Sequence, residues 1–245
     1  MVKSSERQLV FSFLALAFTT PYPLLKKGGE LALSSNFKQI LMPPSFFNQG
    51  FQRKRPSNHK LPPGQYETKD FPVLSAGPTP RIALEKWSFS LEGLVEETKK
   101  WSWQEFNALL QQEFNPDIHC VTQWSKFDTK WRGVSLDTLL EHVQLKPEAS
   151  YVMATSYGGY TTNLPLADLR EGKAFIGLTY DGQPLTPEHG GPARLVVPHL
   201  YFWKSAKWIT SLRFMAEDEP GFWERAGYSM YGDPWKAQRY ADDDE

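Results

Sequence analysis

The residue best suited to chemistry is Cys120, the one cysteine of the chain, in the run DIHCVTQWS at residues 117–125. A cysteine sulfur can act as a nucleophile or a metal ligand when it is a thiolate, and it can also be a small buried apolar group. A single thiol cannot form an intramolecular disulfide, and structural zinc sites usually need two or more closely spaced thiolates. The residue types alone therefore leave all three roles open.

Two further runs carry groups that suit an anion. Residues 188–198 read EHGGPARLVVP, and residues 203–209 read WKSAKWI. The glycine pair lets backbone approach a ligand, Arg194 offers a guanidinium fork that matches phosphate, and the Lys-Ser-x-Lys run from Lys204 to Lys207 offers ammonium and hydroxyl donors. The alternative is a hairpin whose Arg194 and Lys207 face water. Because the formal net charge is −1, any anion site must be local and not part of a global positive field.

The elements that would position these groups can be read from capping residues and periodicity. Ser102 and Glu105 form a capping-box pattern that predicts a helix reaching residue 110. Ser135 predicts the cap of a second helix, which has apolar residues on one face up to residue 143. Before the first helix, residues 87–91 alternate apolar and polar, which is typical of a half-buried strand.

Strand composition dominates the second half of the chain. Strands are predicted at residues 151–155, 160–164, 174–180, 195–197 and 208–215, separated by glycine-containing turns. Two helices followed by many strands predict one α+β domain built on a mixed or antiparallel sheet, without repeating βαβ units. We place this domain at residues 61–245.

Together, the Cys120 run, the HGGPxRLVVP run and the KSAKWI run resemble the molybdopterin-binding domain of the sulfite oxidase family, in particular its short bacterial members. The likeness extends from the LPPGQY run at residues 61–66 to the EDEPGFWERAGYSMYGDPW run that begins at residue 217. Three ordered motifs at compatible spacing carry the resemblance. It implies a molybdenum-molybdopterin cofactor and a fold of the sulfite oxidase type.

The resemblance also implies roles for individual residues. Cys120 would bind molybdenum directly and would be the catalytic metal ligand, since soft thiolates suit this metal. His189 and Arg194 would contact the pterin and its phosphate. The remaining implied cofactor contacts are Thr155, Ser205, Ala206 and Lys207. The stretch at residues 75–78 would add a wall of the pterin pocket without an individual role for any residue.

The sequence departs from the family where the substrate would bind. Sulfite oxidases follow the cysteine closely with arginines that hold an anionic substrate, and here Trp124 and Ser125 take those places. Lys126, Lys130 and Arg132 offer positive charge nearby, or they are exposed loop residues. We expect two-electron oxygen-atom transfer on a small sulfite-, sulfoxide- or N-oxide-like substrate, with an electron donor or acceptor outside this chain. The alternative is a non-catalytic molybdopterin-binding scaffold for a partner protein.

Residues 1–60 are predicted to be a poorly structured extension. The apolar stretch at residues 9–18 resembles part of a secretory signal, but no twin-arginine pair accompanies it. Met42 is a possible alternative start. The basic residues at 53–60 lack interleaved aromatic residues and predict a solvated arm, not a nucleic-acid site. From these features we expect a cytoplasmic protein without stable membrane insertion and without a nucleic-acid partner.

Overall fold

Short strands dominate the chain in the computed structural model, which describes residues 59–244. Two α-helices are present in this range, α1 (Trp103–Asn107) and α2 (Leu136–Leu140). The strands are β1 (Tyr66–Glu67), β2 (Ser88–Gly93), β3 (Lys99–Ser102), β4 (Gln112–Phe114), β5 (Ile118–His119), β6 (Trp124–Lys126), β7 (Trp131–Ser135), β8 (Tyr151–Ser156), β9 (Thr161–Pro165), β10 (Phe175–Tyr180), β11 (Gln183–Pro184), β12 (Arg194–Val196) and β13 (Ile209–Met215). The predicted α+β class is confirmed.

The strands are distributed over three sheets. One sheet has the order β3-β2-β13-β8-β9, with β2 and β13 parallel and the other neighbours antiparallel. A second has the antiparallel order β11-β10-β7-β4, with β12 also pairing with β10. The third is a small sheet of order β1-β6-β5, in which β1 and β6 are parallel. Two of these sheets are therefore mixed, and the second is antiparallel.

The main hydrophobic core packs the first sheet against the antiparallel sheet and includes buried residues of α1 and α2. Phe106 on α1 meets Phe89 on β2 edge to face, with ring centroids 5.4 Å apart, and meets Trp87 in the same way at 5.2 Å. Such aromatic pairs bury large apolar areas in a defined geometry. A second, smaller cluster surrounds Cys120 and lies between the small sheet and the antiparallel sheet; it consists of Ile118, Cys120, Trp124, Trp131, Phe175, Leu185, Val196 and Phe202.

The predicted helix caps are confirmed. The Ser102 hydroxyl accepts a hydrogen bond from the Glu105 backbone N–H, and the Glu105 carboxylate accepts one from the Ser102 N–H. The Ser135 hydroxyl accepts from the Thr138 N–H and caps α2. Both helices are shorter than predicted, since α1 ends at Asn107 and α2 at Leu140, five residues each. The chain leaves each helix early to form the next strand or turn.

The five predicted strands of the second half are present as β8, β9, β10, β12 and β13, each within one residue of its predicted bounds. Arg132 lies on β7 and is not a loop residue, although it is exposed as expected. Lys126 ends β6, and its ammonium donates to the Lys69 carbonyl. No helix within residues 59–244 has the length and apolar character needed to cross a bilayer.

The predicted N-terminal extension lies almost wholly outside the described residues. The signal-like stretch, the possible start at Met42 and most of the basic run fall within residues 1–58. Of that basic run, His59 and Lys60 are described and are exposed. The Lys60 ammonium lies 5.2 Å from the centroid of the Trp235 ring.

Candidate active site

Cys120 lies at the start of the turn that joins β5 to β6. Its N–H donates to the Trp124 carbonyl at 2.8 Å, and its carbonyl accepts from the Gln123 N–H at 2.9 Å. Gln123 has a φ of 76°, a left-handed conformation that closes the turn. The Cys120 side chain is only 7% exposed. The turn therefore presents a thiol toward the protein interior.

Burial and neighbouring charges oppose each other at this thiol. Burial raises the pKa of Cys120, while the Thr122 hydroxyl, 3.2 Å from the sulfur, lowers it, as do Lys207 and Arg194. Burial has the larger effect, so the sulfur of the cofactor-free protein holds its proton at neutral pH. A metal ion would displace that proton and stabilise the thiolate.

Arg194 is the largest fully buried side chain in the described part of the protein, with 1% exposure. Its Nη1 donates to the His189 carbonyl at 2.9 Å and its Nη2 to the Ser205 carbonyl at 2.8 Å. The guanidinium carbon lies 4.2 Å from the centroid of Phe202. Burial lowers the pKa of Arg194 to about 9, and Tyr160 and Cys120 act in the opposite direction. The alternative of a solvent-facing arginine is therefore wrong.

The glycine turn brings backbone against these cations. Gly190 follows a 3-10 turn (Pro187–His189) in the left-handed region, with a φ of 103°. A Cβ at this position would lie 2.9 Å from the Lys207 Cβ and 3.1 Å from the Arg194 Cβ. Only glycine permits both the conformation and the close approach. The turn thus packs directly on the two basic residues singled out from the sequence.

His189 is held on both ring nitrogens. Its Nε2 lies 3.0 Å from the Phe71 carbonyl and therefore donates, which leaves Nδ1 to accept from the Thr186 hydroxyl at 3.2 Å. The ring stacks on Phe71, with centroids 4.1 Å apart. Burial lowers the pKa of His189, and Arg194 and Lys207 lower it further. The imidazole is therefore neutral and fixed in one tautomer.

Lys207 is half-buried beside the same turn. Its ammonium donates to the Leu74 carbonyl at 2.7 Å and to the Glu188 carbonyl at 2.6 Å. Burial lowers the pKa of Lys207 to about 7, and the Arg194 charge contributes to this shift. Leu74 directly precedes the stretch at residues 75–78, whose role as a pocket wall stays a prediction.

Ser205 and Ala206 are hydrogen-bonded to β12 and to the residue that follows it. The Ser205 hydroxyl accepts from the Val197 N–H at 2.9 Å, and the Ala206 carbonyl accepts from the Leu195 N–H at 2.9 Å. Both residues are buried. They therefore hold β12 and the KSAKWI run in register, and the Ser205 proton is left for another acceptor.

Within residues 59–244, no hydrogen bond or ion pair joins Thr155 to this cluster. It lies on β8 opposite Thr161 and Ser211, and its carbonyl accepts from the Thr210 hydroxyl at 3.0 Å. Its assignment as a cofactor contact stays a prediction.

Sequence reasoning missed Tyr228. This tyrosine is buried, with its ring 5.2 Å from that of Trp203 in an edge-to-face arrangement. Burial raises its pKa, and the nearby Tyr240 and Cys120 raise it further. The cluster that contains Tyr228 packs against Val121, the residue that follows Cys120. The sequence signal was the run GYSMYGDPW, which was part of the resemblance but carried no assigned role.

Two buried donors at this site lack partners. Within the described range, neither the Arg194 Nε nor the Trp124 Nε1 has a hydrogen-bond acceptor. Buried donors are normally satisfied, so these two are available to a ligand that carries acceptor atoms. The part of the chain that the structure covers also contains no group of three or more His, Cys, Asp and Glu side chains suited to a metal. A metal at Cys120 would thus take most of its ligands from an anionic cofactor, which the cations and orphan donors fit.

A sheet-rich α+β domain with one buried thiol beside an arginine and lysine cradle defines a cofactor-binding enzyme domain. The family model described as "Oxidoreductase molybdopterin binding domain" matches residues 76–223. The chain belongs to this family, which confirms the resemblance to sulfite oxidases and implies a molybdenum-molybdopterin cofactor.

The relatives include the uncharacterized oxidoreductase YuiH of Bacillus subtilis, 44% identical over 192 residues, which cover 78% of this chain and 97% of YuiH. Sulfite oxidase of Arabidopsis thaliana is 25% identical over 63% of this chain and 49% of its own length. Among solved structures, the sulfane dehydrogenase SoxCD of Paracoccus pantotrophus matches with a TM-score of 0.56 and 18% identity, covering 88% of this chain and 62% of that one. The chain therefore spans about half of the plant sulfite oxidase, and the SoxCD match shows the fold.

Proposed function

We propose that this protein transfers an oxygen atom between a small substrate and water and passes two electrons between that substrate and a separate electron carrier, with Cys120 as the protein ligand to the molybdenum of a molybdopterin. The observation that carries the proposal is the pairing of one buried thiol with a buried arginine whose Nε has no partner among the described residues. A core cysteine needs no such neighbour. A thiolate that binds the metal of an anionic pterin needs a buried site and a nearby cation with a donor left for the pterin.

The residues around Cys120 suit three tasks in holding the cofactor. Arg194 would donate its Nε to the anionic end, and Lys207 would exchange one of its carbonyl acceptors for a phosphate oxygen. Neutral His189 would face the pterin with a fixed ring. The aromatic side chains of the Cys120 cluster exclude water, which strengthens each of these polar contacts. When bound, the cofactor supplies the redox change and the oxygen exchange.

Tyr228 is the residue we propose to act on the substrate. This phenol holds its proton at neutral pH, since burial raises its pKa further, and it would donate that proton to a substrate oxygen bound beside Val121 and Cys120.

We propose a neutral substrate, such as a sulfoxide or an N-oxide, in preference to sulfite. The side chains that replace the family's arginines carry no charge, since Trp124 is an indole and Ser125 a hydroxyl, and both are buried. Lys126, the next cation along the chain, is engaged by the Lys69 carbonyl. A doubly charged substrate would thus find no free positive side chain in the segment that follows the thiol, since Arg194 and Lys207 are assigned to the cofactor.

The test is made on protein expressed in a host that makes the cofactor. We expect about one molybdenum and one pterin per chain, and turnover of sulfoxides or N-oxides with a reduced dye as electron donor. Cys120→Ser should abolish turnover and lower the metal content. Molybdenum without turnover of sulfoxides, N-oxides or sulfite would support the scaffold alternative, and unchanged metal in Cys120→Ser would show that the cysteine is a core residue.

An electron donor or acceptor separate from this chain completes the proposed cycle. The expected cytoplasmic location and the expected absence of a nucleic-acid partner stay predictions. Cell fractionation of the native protein tests the location.

A further inference from the structure

A chain of buried hydrogen bonds lies directly behind Cys120. The Gln65 Nε2 donates to the Cys120 carbonyl at 3.0 Å. The Ser125 hydroxyl donates to the Gln65 Oε1 at 3.3 Å, and this hydroxyl is 2.8 Å from the His119 Nδ1. Since the Ser125 hydroxyl donates its own proton to Gln65, it must accept from His119, whose Nδ1 is therefore protonated. All three side chains are buried, which is costly unless they pair with one another.

The run that carries Gln65 is tied into the β5–β6 hairpin along its length. The Tyr66 N–H donates to the Gln123 carbonyl at 2.8 Å, and the Thr68 N–H donates to the Ser125 carbonyl at 2.9 Å. These bonds belong to the parallel pairing of β1 with β6. Neither the proposed catalysis nor the proposed cofactor contacts use the LPPGQY run. The contacts of this run are instead made with the β5–β6 hairpin, whose turn holds the thiol.

Gln65 completes the hydrogen bonding of one peptide group. The Cys120 carbonyl accepts from the Gln123 N–H at 2.9 Å within the turn and from the Gln65 Nε2 at 3.0 Å across the small sheet. A carbonyl has two lone pairs, so both are used. This fixes the peptide plane after Cys120 and hence the direction of its Cα–Cβ bond. The Thr122 hydroxyl contacts the sulfur itself.

We propose that Gln65 is a positioning residue for the metal ligand Cys120, braced by Ser125 and His119. The inference rests on the proposed function, because it concerns how the sulfur is presented to molybdenum. Groups that orient a ligand from behind it commonly affect metal affinity or activity by about 10- to 100-fold. Gln65 would act in this way without touching the cofactor or the substrate.

The test compares Gln65→Met with the wild-type holoprotein. Methionine preserves length and apolar packing but removes the donor to the Cys120 carbonyl. We expect roughly a 10-fold or greater loss of molybdenum affinity and altered g values in the electron paramagnetic resonance spectrum of the one-electron-reduced metal. The spectrum reports the geometry of the sulfur, which a loss of global stability alone would not change.

Gln111→Met provides a matched control, because the Gln111 amide also donates to a backbone carbonyl, that of Asn107, at 2.8 Å. This variant should keep the wild-type metal content and spectrum. Ser125→Ala keeps the bond from Gln65 to Cys120 but removes its brace, so it should shift the spectrum in the same direction by a smaller amount. It also keeps the inference testable if Gln65→Met fails to fold.

Folded Gln65→Met protein with the wild-type spectrum and metal content would overturn the inference while leaving the proposed function intact. Wild-type protein that binds no molybdenum, or whose molybdenum is unaffected by Cys120→Ser, would overturn both. The two failures are therefore distinguishable in one set of preparations.

Discussion

Lys204 and Glu224 form an ion pair in which the Nζ lies 2.7 Å from the Oε1 and neither side chain is exposed. The Lys204 ammonium also donates to both oxygens of Asn163 and to the Met230 carbonyl. The Glu224 Oε1 accepts from the Trp203 indole at 3.0 Å. The pair thus ties the turn before Ser205 to the segment that contains Tyr228.

Lys204→Met should destabilise the protein by about 3–5 kcal/mol, because Glu224 is then left as a buried charge without a counter-ion. Urea unfolding of the cofactor-free protein measures this change. The double variant Lys204→Met with Glu224→Gln should recover most of the loss, since no charge remains buried. Arg213→Met breaks an exposed pair with Glu219, and it should have a much smaller effect. An equally large loss in the double variant would show that the pair's charge is not the cause.

Arg194→Ala should lower cofactor occupancy, because it removes a charge-assisted contact worth roughly 1.5–3 kcal/mol. The cofactor-free protein should also lose stability, since the His189 and Ser205 carbonyls lose their donor. Pterin content after gel filtration measures the first effect. Arg132→Ala, on the exposed side of β7, is the control and should keep wild-type content. Full occupancy in Arg194→Ala would contradict the assignment of this residue to the cofactor.

Gly190→Ala should reduce cofactor content, because its Cβ would press on Lys207 and Arg194 from 2.9 Å and 3.1 Å. Gly182→Ala is a matched control. Gly182 also has a positive φ, 74°, yet a Cβ there would meet no atom of the described residues within 4 Å. Both variants carry backbone strain, and only Gly190→Ala carries the clash. Equal cofactor loss in the two would mean that strain alone is responsible.

Lys207 should make the stability of the cofactor-free protein depend on pH. Its pKa is about 7 in the folded protein, and that of an unfolded lysine is about 10.4. Between these values the unfolded chain binds a proton that the folded protein does not, so this residue makes stability rise with pH. Lys207→Met should therefore show a smaller rise between about pH 7 and 10 in thermal melts. An identical slope in both proteins would show that Lys207 keeps its ordinary pKa.

Helix caps and strands were predicted correctly from the sequence where the structure of a segment depends on residues within that segment. The caps at Ser102 and Ser135 were predicted because the capping bonds join residues only three apart. The strands of the second half were found because each is long enough to show strand composition. In contrast, β5 and β6 have two and three residues, too few for a periodic pattern. The helices were predicted too long, since their apolar residues continue past the points where the chain turns away.

The sequence by itself determined the family and the motifs at Cys120, Arg194 and Lys207, because residue types at a set spacing can be recognised without knowledge of the fold. Only the tertiary structure decided that Arg194 is buried and that the cluster containing Tyr228 packs against Val121, the neighbour of Cys120. It also decided that Gln65, 55 positions before Cys120, donates to the carbonyl of that cysteine. Such contacts arise from strand pairing and packing between distant segments, and no local pattern encodes which partner a buried polar group will meet.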